Sequence, residues 1–131
     1  MTVTALLAAL SYFICYGGNW LLGQCMIERP IVVGAVTGLL LGDLPTGLIM
    51  GASLEAIFMG SVNIGGQISA EPAAATVFAV TFATMQTVDA NAALAIAVPI
   101  GILSAFVSMF INNIAFNWFV PFIDKYAKDN N

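Results

Sequence analysis

Long runs without charge are the feature that most limits how this chain can fold. No charged side chain precedes Glu28, and none lies between Asp89 and Asp124. A helix of about 20 apolar residues crosses the roughly 30 Å of hydrocarbon in a bilayer. Each run is long enough for one such helix, so the sequence predicts a membrane protein.

The composition excludes several classes of protein. Only 8% of the residues are charged, against about 25% in soluble domains, which excludes a soluble enzyme. With three basic residues in all, the chain lacks the basic surface that nucleic acid binding requires. It also has no histidine, the commonest general base and metal ligand. We therefore predict no catalytic residue, no metal site, no cofactor and no nucleic acid partner.

Two shorter apolar runs, residues 30–42 and 46–60, predict a re-entrant helical hairpin. Neither run is long enough to span a bilayer as a straight helix. The segment around their junction carries Asp43, Pro45 and Gly47, which are typical turn residues. Transporters use such broken helices, buried in protein or facing water, to build their substrate sites.

The predicted fold is all-α: a polytopic membrane protein with transmembrane helices and this re-entrant hairpin. A further helix begins at Pro72, because proline suits the first turn. A last helix runs from residue 90 to about Trp118, a residue type that favours the headgroup level of a bilayer. Residues 1–123 form the predicted membrane domain, and residues 124–131 form a loose polar tail.

Glycines recur at four-residue spacing on both halves of the hairpin. This spacing places them on one face of each half, where the missing side chains allow another helix to approach closely. Two interpretations stay open: the glycines serve helix packing alone, or they also let the hairpin slide against a neighbour during transport. The predicted packing residues are Gly34, Gly38, Gly42, Gly47 and Gly51.

Glu55 is the acid that least fits its surroundings. It lies inside an apolar run, where a carboxylate costs at least about 2.5 kcal/mol, so a functional role is the first interpretation. A ligand-binding role and a structural hydrogen bond inside the hairpin are the two alternatives. Arg29, the cation nearest to Glu55 in sequence, is interpreted as an anchor at the membrane interface.

Three further polar residues, Asn63, Gln67 and Glu71, follow the hairpin. Together with Glu55 they supply carboxylates and side-chain amides, which accept and donate hydrogen bonds to several sugar hydroxyls at once. We therefore predict a sugar site built from these four residues, with Glu55 as the principal acceptor for sugar hydroxyls and the two amides in support. The alternative for the two amides is the capping of an irregular loop. For Glu71 it is a place in the first turn of a helix, where the helix dipole favours an acid.

The sequence of the hairpin resembles a known family. Four segments carry the resemblance: Arg29-Pro30, GDLPTG at residues 42–47, GASLEAIFMG at residues 51–60 and NIG at residues 63–65. Together they are similar to the membrane component IIC of the mannose/fructose/sorbose family of the bacterial sugar phosphotransferase system. The similarity runs from about residue 12 to about residue 99.

The resemblance implies a sugar permease subunit that crosses the bacterial cytoplasmic membrane several times and translocates a hexose. In this family a second membrane component, IID, completes the sugar pathway. Soluble IIA and IIB components carry the phosphoryl group on histidines and pass it to the sugar, so a IIC chain needs no enzyme activity of its own. The resemblance also implies that Glu55 and Asn63 lie near the sugar, and it gives Gln67 and Glu71 less weight.

Chains of this family are about twice as long as this one, so the resemblance covers an N-terminal half. Two explanations stay open: a second chain supplies the C-terminal half, or this chain is a truncated form. We expect an oligomer in either case. The rival functions are a membrane interaction subunit that does not transport, and a small cation or proton channel that uses Glu55 and Glu71.

Overall fold

The regular elements of the computed structural model are all α-helices in the part that it describes, residues 1–23, 25–61, 70–85 and 88–129. The prediction of an all-α protein is confirmed for these residues, which contain no strand. The helices, in chain order, are α1 (Thr2–Leu21), α2 (Pro30–Leu41), α3 (Leu44–Phe58), α4 (Pro72–Thr84) and α5 (Ala90–Asp129).

Helices α2 and α3 form the predicted helical hairpin. Pro30 opens α2, where a missing N–H group costs nothing. Gly42 ends α2 with a φ of 83°, in the left-handed region that glycine adopts readily. Asp43 then caps α3, because its Oδ1 accepts a hydrogen bond from the Thr46 amide at 3.2 Å. Local sequence therefore determines both the turn and the helix ends beside it.

Glycines bring the two halves of the hairpin together backbone to backbone. A Cβ atom on Gly47 would lie 2.3 Å from the Gly34 carbonyl oxygen, and one on Gly38 would lie 2.8 Å from the Gly47 Cα atom. A Cβ atom on Gly51 would lie 2.7 Å from the Pro30 carbonyl oxygen of α2. Gly42 differs from these four glycines, because a Cβ atom there would meet no atom of the described residues beyond its own chain neighbours and helix. It serves the left-handed turn instead.

Helix α4 lies at the centre of the fold and contacts each of the other four helices. Its first two turns are almost wholly buried, and they contain three consecutive alanines, residues 73–75, which let the neighbours approach. The backbones of α1 and α5 both pack on α4 but do not contact each other in the described segments. A gap therefore separates α1 from α5 above α4.

A stripe of small residues docks α5 onto the rest of the protein. The buried residues at four-residue spacing are Ala93, Ala97, Gly101 and Ala105. Between Ala105 and Lys128 no residue of the helix is buried. The first half of α5 is therefore packed, and the second half stands free of the other described helices.

Helix α5 does not end near Trp118 as predicted, and residues 124–129 are helical rather than loose. Pro121 lies inside the helix and removes one backbone donor, but no glycine follows Gly101 to terminate it. The helix has 40 residues, which gives about 60 Å at 1.5 Å per residue. Within the described ranges, it is the one helix both long and apolar enough to cross a membrane.

Candidate functional site

An open cavity of about 680 Å³ lies in the gap between α1 and α5. Its volume lies in the range of about 300–1,000 Å³ that is usual for small-molecule sites. Apolar side chains form most of the walls, among them the rings of Phe78 and Phe82 from α4. Such walls suit a ligand with apolar faces and a few polar groups that must be recognised at one place.

Glu71 supplies the carboxylate of this cavity. The residue is 5% exposed and stands immediately before α4. Tyr12 of α1 donates a hydrogen bond to its Oε1, and Ser108 of α5 donates to its Oε2 at 2.9 Å. One carboxylate thus links two helices whose backbones do not meet. We call Tyr12, Glu71 and Ser108 the carboxylate cluster.

Backbone contacts fix the position of Glu71. Its amide donates to the Gly101 carbonyl oxygen at 3.0 Å, and its own carbonyl oxygen accepts from the Ala75 amide at 3.2 Å. A Cβ atom on Gly101 would lie 3.0 Å from the Ala75 Cβ atom, so glycine allows α5 to approach this closely. Ser108 lies seven residues beyond Gly101, on the same face of α5. The close crossing therefore also directs Ser108 towards Glu71.

Only neutral donors satisfy Glu71 in the described part of the chain. No lysine or arginine there forms an ion pair with it, although a buried carboxylate without compensation is costly. A carboxylate offers about four acceptor positions, and the hydroxyls of Tyr12 and Ser108 take two of them. The arrangement is chemically suited to bind hydroxyl groups.

Glu55 lies elsewhere and does not line the cavity. Its Oε1 accepts from Arg29 Nη1 at 2.9 Å, and its Oε2 accepts from the Ile31 amide at 3.4 Å. Arg29 precedes α2, so the pair closes the end of the hairpin opposite to its turn. The side chains are 48% exposed for Arg29 and 23% exposed for Glu55, and pairs of this kind contribute about 0–1 kcal/mol.

The other predicted site residues, Asn63 and Gln67, lie outside the described residues. The structure adds Tyr12 and Ser108, which the sequence did not single out. A tyrosine in an apolar run is usually interpreted as a packing residue. For a serine inside a helix, the neighbouring sequence gives no indication of a binding role. Both belong to the site through contacts that cross the fold.

The sequence profile of the PTS system sorbose-specific IIC component matches residues 2–131. The chain belongs to this family. The predicted relationship to a IIC component of the mannose/fructose/sorbose type is thereby confirmed.

Several relatives of this IIC chain have a named activity. N-acetylgalactosamine permease IIC component 1 of Escherichia coli K12 is 35% identical over 123 residues, covering 94% of this chain and 45% of the relative. The mannose-specific EIIC component of the same organism is 27% identical, covering 100% of this chain and 50% of the relative. The sorbose-specific EIIC component of Klebsiella pneumoniae is 30% identical, covering 85% and 42%. The chain thus spans about half the length of these curated relatives.

A solved structure shares the fold. The cryo-EM structure of the mannose transporter ManYZ in complex with microcin E492 (MceA) matches the IIC chain with a TM-score of 0.83 and 26% identity. The match covers 100% of this chain and 52% of the transporter chain. The helix arrangement described above therefore occurs in about half of a known membrane transporter subunit.

Proposed function

We propose that this IIC chain is part of a sugar permease subunit, which carries a hexose of the mannose, fructose and sorbose class across the bacterial cytoplasmic membrane. Transport is coupled to phosphorylation of the sugar by soluble IIA and IIB components, with IID as the membrane partner. The observation that carries the proposal is the cavity that contains a carboxylate already bound by two hydroxyls. The family and the fold of a transporter subunit support it.

The chemistry of the cavity matches that of a hexose. Neighbouring sugar hydroxyls are paired donors, and a carboxylate binds such donors through short, charge-assisted hydrogen bonds. Glu71 binds two hydroxyls of the protein in this way. The rings of Phe78 and Phe82 would cover the apolar C–H faces of the sugar. Glu71 is therefore proposed as the main acceptor for sugar hydroxyls.

The other residues predicted from the sequence stay part of this proposal. Asn63 and Gln67 belong to the segment that leads into Glu71, so they are proposed to approach the sugar from that side. Glu55 is proposed to bind the sugar in a state where its ion pair with Arg29 is exchanged for sugar hydroxyls.

The hairpin is proposed to be re-entrant. At about 1.5 Å per residue, α2 is about 18 Å long and α3 about 22 Å, and both are shorter than the roughly 30 Å of hydrocarbon. The turn at Asp43 would then lie inside the membrane and be covered by protein. The remaining half of the family fold is proposed to supply that cover, as part of the same polypeptide or as a second chain.

Uptake measurements test the proposed function. The chain is produced with IIA, IIB, IID and the remaining half of the IIC fold in cells that lack other hexose permeases. We expect labelled mannose, fructose or N-acetylgalactosamine to accumulate as its phosphate, and accumulation to cease when IIB is omitted. Absence of uptake for every sugar of the class would contradict the proposal. A sugar-independent cation current in vesicles would instead favour a channel.

A charge exchange separates the two roles of Glu55. In the double variant Arg29→Glu with Glu55→Arg, the ion pair is reversed, and we expect the hairpin to assemble as in the unmodified chain. We expect hexose uptake to be lower than that of the unmodified chain, because the carboxylate no longer lies on α3. Glu55→Gln alone is expected to lower uptake while changing the free energy of unfolding by no more than about 1 kcal/mol. Full uptake by the exchanged pair would assign Glu55 to the hairpin alone.

A further inference from the structure

We propose that Tyr12 determines substrate affinity and selectivity by competing with the sugar for Glu71. The hydrogen bond from the Tyr12 phenol to Glu71 and a hydrogen bond from a sugar hydroxyl to the same oxygen are alternatives. Substrate binding then releases the hydrogen bond that joins Tyr12 of α1 to Glu71. This inference rests on the proposed function and adds a residue that neither the sequence pattern nor the family resemblance singled out.

The burial of Glu71 makes the competition necessary. The residue is 5% exposed, and each of its carboxylate oxygens already holds one protein hydroxyl. The low exposure leaves the two remaining acceptor positions almost inaccessible, so a ligand in the adjacent cavity reaches the carboxylate by displacing a donor. The incoming group must itself donate a hydrogen bond, since a buried carboxylate left unsatisfied is costly.

Tyr12 is the donor that is more easily displaced. It lies on α1, whose backbone does not contact α5, and its side chain is partly exposed and lines the cavity. Its ring also stacks on Tyr16, with centroids 5.3 Å apart and planes 8° from parallel. This stack supports the ring within α1 independently of Glu71. Ser108, in contrast, lies on a helix that Gly101 and Ala105 hold firmly against α4.

Competition at Glu71 also defines a substrate class. Only a ligand group with an O–H or N–H donor replaces the phenol. Neutral hexoses and N-acetylated amino sugars carry such donors on most of their carbon atoms. A sugar acid offers acceptor oxygens where its carboxylate stands and adds a negative charge beside Glu71, so it is rejected if that group faces the cluster.

The test is hexose binding to the assembled IIC and IID complex in vesicles, measured as a dissociation constant. Tyr12→Phe removes the competing hydroxyl and keeps the ring. We expect it to lower the Kd for hexose about two- to tenfold, the size of one hydrogen bond. The matched control is Tyr126→Phe, which removes the same hydroxyl from an exposed side chain of α5 and is expected to leave Kd unchanged.

A second substitution is expected to change the Kd for hexose in the opposite direction, so that a folding defect cannot explain both results. Incorporation of 3-fluorotyrosine at position 12 makes the phenol a stronger donor, so Kd is expected to rise. Unchanged or weaker binding by Tyr12→Phe, or no rise with the fluorinated residue, would overturn the competition while the unmodified complex still binds hexose. Failure of the unmodified complex to bind any hexose overturns the proposed function, and with it this inference.

Discussion

Glu71→Gln is expected to lower hexose uptake at least about tenfold, because the amide keeps the shape of the side chain but loses its charge. Hydrogen bonds to a charged group contribute about 1.5–3 kcal/mol each, and about 1.4 kcal/mol corresponds to a factor of ten. The new NH2 group also replaces one acceptor oxygen, so either Tyr12 or Ser108 loses the atom that accepts its hydrogen bond. The measurement is initial uptake of labelled sugar by cells that contain the complete system.

The control for this substitution is Asp124→Asn, which makes the same chemical change at an exposed acid near the end of α5. It is expected to leave uptake unchanged. The amount of IIC that assembles with IID is measured for both variants, so that a folding defect is recognised. Normal uptake by a well-assembled Glu71→Gln variant would remove Glu71 from the sugar site.

Gly47→Ala is expected to destabilise the hairpin by about 1–3 kcal/mol, and Gly47→Leu by more. The added Cβ atom would lie 2.3 Å from the Gly34 carbonyl oxygen. A backbone atom cannot rotate aside as a side chain does, so α2 and α3 must separate. The expected result is a lower melting temperature in detergent and little assembled protein in the membrane.

Gly60→Ala is the matched control for the hairpin. It lies just beyond α3, and among the described residues no atom outside its chain neighbours lies within 4 Å of a Cβ atom placed there. We expect the same added methyl group to have little effect there. Equal melting temperatures for Gly47→Leu and the unmodified chain would show that the close approach of the two helices is not needed for stability.

The hairpin could be predicted because its signals are local. Pro30, Gly42, Asp43 and the spaced glycines determine the helix ends, the turn and the packing face within about 20 residues of chain. Even the pairing of Arg29 with Glu55 follows from the position of the turn, since each of the two residues lies 13 positions from Gly42. An antiparallel hairpin of nearly equal halves brings two such positions together. Their pairing was nevertheless not among the predictions.

The carboxylate cluster could not be predicted, because it depends on how the helices pack. Tyr12 and Ser108 lie 59 and 37 residues from Glu71 in sequence. Their meeting requires α4 to lie between α1 and α5, and no periodic pattern in a short apolar helix determines its neighbours. The sequence could name Glu71 as a candidate from its polar surroundings, but it could not supply its partners.

Because the burial of α5 is uneven, this helix is supported along its first part only. Its stripe of small residues, which ends at Ala105, packs against the other helices. The remaining 24 residues to Asp129 project for about 36 Å at 1.5 Å per residue. A force on the free end bends the helix most strongly where the packed part ends. Ser108 lies there, less than one turn beyond Ala105. Whatever packs against the projecting part of α5 therefore acts mechanically on the hydrogen bond between Ser108 and Glu71.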